Sequence, residues 1–412
     1  MGTVPLRAWR HVPPPPMLAR LALRLATQVS PRLLAKAGHL WVGKSMRAMR
    51  LYRARLAEGR LFPPFLFLAL TSACNLRCRG CWIDNDRFPD QLSQADVEGI
   101  LAAGKRQGVY FYTLLGGEPM LYPGLWGLLE QHRDCYFQLM TNGMFFSAEN
   151  AQRIRGLGNV TPLVSIDGLA QQNDDRRGPG VFAAAMEGIG RLRREKILFG
   201  VATVVTGRNL DEVTSDPYVE HFVRSGAMYL WYYVYRPVGA NPSPEYCVPR
   251  EAMLRLRRRL LELRRRHPIV IIDTYWDADG RALCPAVSGL GFHIGPRGSI
   301  EPCPPLSFAC QTVRDHDRDV FRAIDESQFL RGFQEFAARR TRGCVILESP
   351  QELAAWMKSQ GATDYSGRDA YAELERSAPR TSHHLPGEEI PEDYWLYRFL
   401  KRRLFFGLAA YG

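Results

Sequence analysis

The chain has 412 residues, of which 46% are hydrophobic and 23% charged, and its formal net charge is +12 at pH 7. This composition is that of a globular protein long enough for a large core and two domains. No run of 18 uninterrupted apolar residues occurs, and Pro13–Pro16, Arg20 and Arg24 interrupt any signal-peptide core. We therefore expect neither a membrane span nor a secretion signal. Nine cysteines fit a reducing compartment, so we expect a cytoplasmic protein.

The excess positive charge lies at the two ends of the chain. Residues 1–60 hold twelve Lys or Arg and one acid, and residues 394–412 hold four basic residues and no acid. Apolar side chains recur at helical spacing in both ends, with Arg20 and Arg24 on a separate face. This pattern predicts peripheral docking on the inner face of an anionic membrane. The alternative is a helix packed on the protein body, and nucleic acid is the less favoured partner.

Short apolar runs alternate with amphipathic segments between residues 64 and 236, which predicts a parallel α/β sheet. Strands are expected at 65–70, 109–115, 136–140, 162–166, 199–205 and 228–235. Helices are expected at 93–108, 123–132, 147–156, 180–194 and 211–225. Six such units predict a partial (β/α)6 barrel of the TIM type, in which chemistry gathers at the carboxyl ends of the strands.

The character of the sequence changes after Pro249. A basic helix is expected at 250–267, with its arginines on a solvated face, followed by a region rich in Cys and Gly. We therefore predict four units: a basic amphipathic helical segment (1–60), the barrel (61–245), a small Cys-rich domain (246–350) and an extension ending in a basic aromatic helix (351–412).

Three cysteines follow the first predicted strand. Cys74, Cys78 and Cys81 have the spacing C-x3-C-x2-C, whereas a zinc ribbon would pair C-x2-C motifs. Three thiolates on a four-iron cubane leave one iron without a protein ligand, and that iron can bind a small molecule. The loop resembles the cluster loop of the radical S-adenosylmethionine (SAM) enzymes. This resemblance implies that the three cysteines hold a 4Fe–4S cluster that binds SAM.

Polar motifs at the next strand ends agree with this resemblance. The motif after the second strand resembles the one that holds the SAM amino group, and it comprises Gly116, Gly117, Glu118 and Pro119. The ends of the third and fourth strands resemble the family's ribose and carboxylate contacts, and they carry Thr141, Asn142, Ser165 and Asp167. Arg177 resembles an arginine that pairs with the SAM carboxylate. The residue before the third cysteine, often aromatic in the family, is Gly80 here.

A second set of cysteines begins with Cys284 and Cys303, spaced C-x13-G-x4-C. This spacing resembles the opening of the Twitch or SPASM extension of radical SAM proteins, where a hairpin presents ligands to an auxiliary 4Fe–4S cluster. Cys310 and Cys344 are the other two expected ligands. If one of the four is not a ligand, the cluster has an open iron able to bind substrate. We interpret Cys135 and Cys247 as small core residues.

The resemblance implies an enzyme that cleaves SAM reductively to a 5′-deoxyadenosyl radical, which abstracts hydrogen from an unactivated C–H bond. It also implies a reductant of the flavodoxin or ferredoxin type. The basic amphipathic ends favour a hydrophobic or membrane-held substrate, such as a lipid or isoprenoid. The alternatives are a maturase that modifies peptides or proteins and, in another class, a membrane-docked iron–sulfur electron carrier. No catalytic side chain is assigned.

Overall fold

The computed structural model describes residues 16–83, 89–239, 241–273, 275–282, 284–341 and 343–403. Its main sheet has nine strands in the order β7-β6-β5-β4-β3-β2-β1-β8-β9. These strands are β1 (Leu66–Thr71), β2 (Phe111–Gly116), β3 (Tyr136–Thr141), β4 (Val160–Ser165), β5 (Gly200–Val205), β6 (Tyr229–Val234), β7 (Val270–Asp273), β8 (His293–Ile294) and β9 (Ile300–Glu301). A separate antiparallel pair is formed by β10 (Phe308–Ala309) and β11 (Thr363–Asp364).

Seventeen α-helices accompany these strands in the described part of the chain. They are α1 (Pro16–Gln28), α2 (Pro31–Lys36), α3 (Lys44–Ala57), α4 (Gln94–Gln107), α5 (Leu125–Gln131), α6 (Ala148–Leu157), α7 (Ala170–Arg177), α8 (Val181–Arg194), α9 (Leu210–Val213), α10 (Asp216–Ser225), α11 (Arg250–Arg266), α12 (Val320–Glu326), α13 (Gln328–Arg340), α14 (Val345–Glu348), α15 (Pro350–Ser359), α16 (Ala370–Arg376) and α17 (Trp395–Arg403). A π-helix, Ala37–Gly43, joins α2 to α3.

The six predicted strands are present as β1 to β6, and each runs parallel to its neighbours. Their central positions are buried because helices cover the sheet, and for that reason these strands read as nearly continuous apolar runs. Local capping sets the helix bounds as expected at α4. There Ser93 Oγ accepts from the amide of Asp96 at 3.1 Å, and Gly108 ends the helix in the left-handed region. The α/β barrel prediction is confirmed.

Strands from the expected Cys-rich region extend the sheet at both edges. β7 pairs in parallel with β6, and β8 pairs in parallel with β1 through Phe67 and His293. β9 then turns back antiparallel to β8. The strands β7, β8 and β9 therefore belong to the same sheet as the barrel strands. The domain boundaries at 245 and 350 stay a prediction.

Both basic ends are largely helical over the residues that the structure describes, 16–57 and 395–403, but part of their polar surface packs on the body; residues 1–15 lie outside the described residues. Arg24, expected on a solvated face, is buried and donates to the carbonyl oxygens of Val223 and Ala227 at 2.8 and 2.7 Å. Tyr397 and Lys401 of α17 are buried as well. The part of the C-terminal prediction at 404–412 lies outside the described residues. No helix in the ranges described is long and apolar enough to cross a membrane.

The arginines of α11 also differ from the expectation of a solvated face. Arg257 and Arg264 are buried, and both form ion pairs with Asp273 at the end of β7. Glu392 accepts from Arg264, and Lys401 reaches Asp273 at 3.3 Å. A buried carboxylate is stable only when cations surround it, and helical spacing alone could not reveal which arginines do so.

Candidate functional site

The first cysteine loop lies directly after β1, where the carboxyl ends of the parallel strands meet. The thiols of Cys74, Cys78 and Cys81 interact electrostatically with one another. Burial, together with Glu118 and the other two thiols, raises the pKa of Cys74 to about 11. A thiol that binds a metal gives up its proton, so neighbouring thiols on one loop suit a thiolate-bound metal.

The thiols are not arranged around a single ion. Among the described residues, no three Cys, His, Asp or Glu side chains converge closely enough to hold one metal ion. In a cubane each thiolate binds a different iron, so its ligands stand farther apart than the ligands of a single zinc. The donor set therefore fits a cluster better than a mononuclear site.

The two glycines after β2 are required by the cysteine loop itself. The Gly117 amide donates to the Thr71 carbonyl oxygen at 2.7 Å, and the Glu118 amide donates to that of Ala73 at 2.7 Å. A side chain on Gly116 or Gly117 would collide with the backbone of this loop. In this structure the two glycines make room for the loop that carries the thiols, and the contact of this motif with SAM stays a prediction.

Glu118 is completely buried between the ends of β2 and β3. Its carboxylate accepts from the Thr141 hydroxyl at 2.8 Å, the Asn142 amide at 2.8 Å and the Met120 amide at 3.1 Å. Burial raises the pKa of Glu118 to about 7 although these hydrogen bonds favour the ionised form. An ammonium group of SAM would have to share a carboxylate that already accepts three hydrogen bonds.

Asn142 connects the predicted SAM contacts to the cysteine loop. Its side-chain amide donates to Asn75 Oδ1 at 2.8 Å, between the first two cysteines. Ser165 is the last residue of β4 and is half-buried. Thr141, Asn142 and Ser165 therefore lie at one end of the barrel, and their contacts with ribose or carboxylate stay a prediction.

Asp167 forms ion pairs with Arg176 and Arg177 rather than facing open space. Although burial opposes its ionisation, Arg177 and Arg176 outweigh that effect and lower the pKa of Asp167. Arg177 also interacts with the thiols of Cys78 and Cys81. The arginine predicted to pair with the SAM carboxylate is therefore beside the cysteine loop, held there by Asp167. The role of Arg176 in this pair was not predicted.

Gly80 has a structural explanation that sequence spacing could not supply. Its φ is +63°, and a side chain there would collide with the hydroxyl end of Tyr235, which follows β6. The Tyr235 hydroxyl also accepts from the Ser243 amide at 2.9 Å. An aromatic group thus covers the cysteine loop from another strand, in place of one within the loop.

The second set of cysteines is brought together only in part. Cys284, Cys303 and Cys344 interact electrostatically with one another. Backbone amides of Ala286 and Val287 donate to the Cys284 sulfur, an arrangement that favours a thiolate ligand. Cys310 is exposed, and its Sγ lies 3.5 Å from the carbonyl oxygen of Gln360.

Arg236 lies beside the second set of thiols and was not predicted as a site residue. Its guanidinium donates to the carbonyl oxygens of Val234 and Tyr235 at 3.1 and 3.0 Å, which fixes it at the end of β6. The side chain hydrogen-bonds Cys344 and interacts electrostatically with Cys284. A cation here offsets the negative charge of thiolate ligands.

A cavity of about 620 Å³ opens near the second set of thiols. Arg339, Arg340, Thr341 and Arg380 line it, and the Arg380 amide donates to the Leu347 carbonyl oxygen at 2.7 Å. Leu347 belongs to α14, which begins directly after Cys344. Glu348 also lines this cavity, and Arg339 and Arg340 pair with Glu335 and Glu352, so its lining carries both charges with arginine in excess.

Parts of the chain are similar in sequence to known proteins. Residues 68–215 match the family model described as the Radical SAM superfamily. The chain is 32% identical over 164 residues to the sporulation killing factor maturation protein SkfB of Bacillus subtilis strain 168, covering 39% of this chain and 40% of that protein. It is 31% identical over 242 residues to the pre-heme d1 synthase of Dinoroseobacter shibae, covering 55% and 58%. In each case the chain spans less than two thirds of the relative.

The fold is similar to that of solved structures. The crystal structure of Streptococcus suis SuiB bound to S-adenosylmethionine aligns with a TM-score of 0.58 at 16% identity, covering 73% of each chain. Native anSMEcpe with bound AdoMet aligns with a TM-score of 0.54 at 16% identity, covering 77% of this chain and 93% of that chain. The chain therefore contains a Radical SAM domain over residues 68–215, followed by a region rich in Cys, and proteins of the Radical SAM superfamily bind a 4Fe–4S cluster and SAM.

Proposed function

We propose that this protein is a radical SAM enzyme that modifies a peptide or a protein. The observation that carries the proposal is the loop of Cys74, Cys78 and Cys81, clamped by the Gly117 and Glu118 backbone beside Arg177. When bound, the cluster and SAM supply the reductive cleavage that yields a 5′-deoxyadenosyl radical. The residues around the loop fix its backbone and supply a buried cation for the SAM carboxylate.

The substrate class is supported by the relatives named as maturation proteins. SkfB and the mycofactocin maturase MftC of Mycobacterium tuberculosis strain H37Rv are 32% and 31% identical to the aligned parts of this chain. A lipid or isoprenoid substrate has less support than the sequence indicated. The lipid hypothesis rested on the amphipathic helices at the two ends of the chain. Part of their surface is not available to a membrane, because Arg24, Tyr397 and Lys401 are buried against the body of the protein.

A heme-related substrate is the second candidate. The relative named pre-heme d1 synthase is matched over 55% of this chain, whereas SkfB is matched over 39%. The longer match extends beyond the family-model residues, 68–215, so it includes more than the SAM-binding core. Feeding candidate peptides and heme precursors to the reduced enzyme distinguishes the two classes.

The electron donor is proposed to be an acidic protein of the flavodoxin or ferredoxin type. Arg339, Arg340 and Arg380 outnumber the carboxylate of Glu348 in the lining of the cavity, and this excess of positive charge suits an acidic surface. Charge attraction of this kind accelerates encounter and weakens with salt. Reduction by such a donor should slow at high ionic strength, and more so than reduction by dithionite.

A peripheral membrane contact at the inner face is a separate proposal. Trp395 and Phe399 are 57% and 48% exposed on the outer face of α17, next to the exposed Arg398 and Arg402. Exposed aromatics interleaved with cations suit the headgroup region of an anionic bilayer. The inner face of the same helix is already occupied by its packing on the body.

The deciding experiment is anaerobic reconstitution with iron and sulfide, followed by reduction with dithionite in the presence of SAM and chromatography for 5′-deoxyadenosine. We expect product from the unaltered chain, none from Cys78→Ala, and unchanged product from Cys135→Ala, which alters a core cysteine outside both sets of thiols. A reconstituted cluster that gives no product, even with peptides or heme precursors added, would contradict the proposal and favour the electron carrier.

A further inference from the structure

The residue after the third cysteine of the first loop contacts a histidine from another strand. Trp82 follows Cys81 directly, and its indole ring meets the imidazole of His293 edge to face, with ring centroids 5.6 Å apart and planes inclined at 76°. His293 lies on β8, which pairs with β1, the strand that leads into the loop. Edge-to-face packing is a favoured geometry for ring pairs, so this contact restrains the Trp82 side chain.

The His293 ring is itself fixed by the hairpin of β8 and β9. His293 Nδ1 lies 2.6 Å from Oε2 of Glu301, its register partner on β9. The Ser299 hydroxyl donates to Oε1 of the same carboxylate at 2.6 Å, and all three side chains are buried. A side chain on Gly295 would collide with this carboxylate and with the Ser299 hydroxyl. A buried network of this kind holds the imidazole in one orientation.

The second ring nitrogen of His293 makes no hydrogen bond. Nε2 is buried and has no partner among the residues that the structure describes. A histidine that bridges two polar groups uses both nitrogens, whereas this one is anchored through Nδ1 and packs its ring on Trp82. The arrangement therefore uses His293 as an oriented ring, held by Glu301 and packed on the indole.

The backbone next to the Trp82 ring is bounded by the chain that follows β6. A side chain on Gly239, whose φ is +109°, would lie 2.2 Å from the Cys81 carbonyl oxygen and 3.1 Å from the Trp82 Cα. Tyr235, from the same part of the chain, covers Gly80. The end of the loop is therefore bounded at its backbone by the chain after β6 and at the Trp82 side chain by β8.

We propose that His293 is a positioning residue for the first cysteine loop. Its ring, held by Glu301, fixes Trp82 and thereby the end of the loop at Cys81. This rests on the proposed function, since it assumes that the first set of cysteines holds a cluster that binds SAM. Glu301 is two residues before Cys303, so the hairpin that leads to a cysteine of the second set also supports the first set. A change in this hairpin then alters SAM binding, although none of its residues is assigned as a SAM contact.

The test measures the dissociation constant for SAM by titration calorimetry, on the reconstituted holoprotein before reduction, so that SAM is not consumed. We expect His293→Leu and Trp82→Leu each to weaken SAM binding about fivefold, the size expected when one edge-to-face ring contact is lost. The double variant should bind SAM no more weakly than either single variant, because each change removes the same contact. A double variant about 25-fold weaker, the product of the two single effects, would overturn the proposal.

Two further changes test the support from Glu301. Glu301→Gln keeps an acceptor for His293 Nδ1 and should bind SAM as the unaltered chain does, whereas Glu301→Leu should weaken binding as much as His293→Leu does. His221→Leu is the matched control. Within the described part of the chain, His221 Nε2 is also buried without a partner, and its ring packs on Phe222 in α10. An equal loss of SAM binding in His221→Leu would mean general destabilisation and would contradict the proposal.

A spectroscopic measurement separates positioning from a folding defect. With fluorotryptophan in the holoprotein, fluorine NMR reports on all eight tryptophans, and Trp82→Phe identifies the Trp82 signal. His293→Leu should move the Trp82 signal and leave the others in place, whereas a misfolded variant moves many signals. A Trp82 signal that stays in place would show that His293 does not hold this ring. The 5′-deoxyadenosine assay on the unaltered chain decides the proposed function separately, because it needs none of these variants.

Discussion

At the scale of single residues, several residues at the barrel end contact the cysteine loop. Gly116 and Gly117 make room for its backbone, Asn142 bonds to Asn75 within it, and Gly80 makes room for Tyr235. Residue types and spacing marked Gly116, Gly117 and Asn142 as candidate SAM contacts, and that role stays a prediction. They did not reveal the contacts, because Tyr235 is over 150 positions from Gly80 in the chain.

Glu118 gives a prediction for the stability of the metal-free protein. Burial raises its pKa from 4.5 to about 7. Because the folded pKa is the higher one, its contribution to stability is complete below about pH 4.5 and is lost as the pH rises through about 7. A pKa shift of this size changes the free energy of unfolding by ~3 kcal/mol. We therefore expect the free energy of unfolding, measured with urea, to fall between about pH 5 and about pH 8 by about this amount more in the unaltered chain than in the Glu118→Gln variant.

The surface variant Glu149→Gln is the control for this measurement, because its side chain is exposed at the start of α6. It should follow the unaltered chain at every pH. Parallel curves for Glu118→Gln and the unaltered chain would mean that the buried carboxyl does not carry the proton that its surroundings favour.

At the scale of elements, α17 is fixed by a buried charge network rather than by apolar packing alone. Lys401 meets Asp273 at the end of β7, where Arg257 and Arg264 of α11 also pair. An amphipathic helix is recognisable from its spacing, and α17 was predicted. Which of its faces is buried depends on an acid more than a hundred positions away, so the position of Lys401 could not be predicted.

Lys401→Ala should lower the free energy of unfolding by about 3 kcal/mol, because it removes one cation from a buried carboxylate. This loss is at the lower end of the range expected when one partner of a buried ion pair is removed, because Arg257 and Arg264 still neutralise Asp273. Arg402→Ala is the matched control one residue away, where a half-exposed pair with Asp279 contributes less than about 1 kcal/mol. Equal losses by urea unfolding would show that the network does not stabilise α17.

At the scale of the whole molecule, the two sets of thiols belong to one sheet. β8 pairs with β1, which leads into the first cysteine loop, and Arg236 at the end of β6 reaches the auxiliary cysteines. The predicted barrel and Cys-rich domain are consecutive in the chain, but strands from both belong to one sheet.

The outer face of α17 gives a prediction for the intact protein. The double variant Trp395→Ala, Phe399→Ala should bind anionic vesicles about tenfold more weakly, a loss of ~1.4 kcal/mol. Leu385→Ala, with a side chain of similar exposure on another segment, should bind normally. Vesicle co-sedimentation measures this without deleting α17, whose removal would also break the Lys401 network. Unchanged binding of the double variant would rule out this face as the membrane contact.

The sequence by itself was sufficient to predict the six barrel strands and the Radical SAM domain, because local periodicity and closely spaced motifs carry those signals. It was insufficient for β7, β8 and the buried cations of α1, α11 and α17, which depend on partners far away in sequence. The same limit applies to the auxiliary ligands. Cys310 looked equivalent to Cys344 in the sequence, and only the tertiary structure separates the two, since packing rather than spacing leaves Cys310 exposed and buries Cys344.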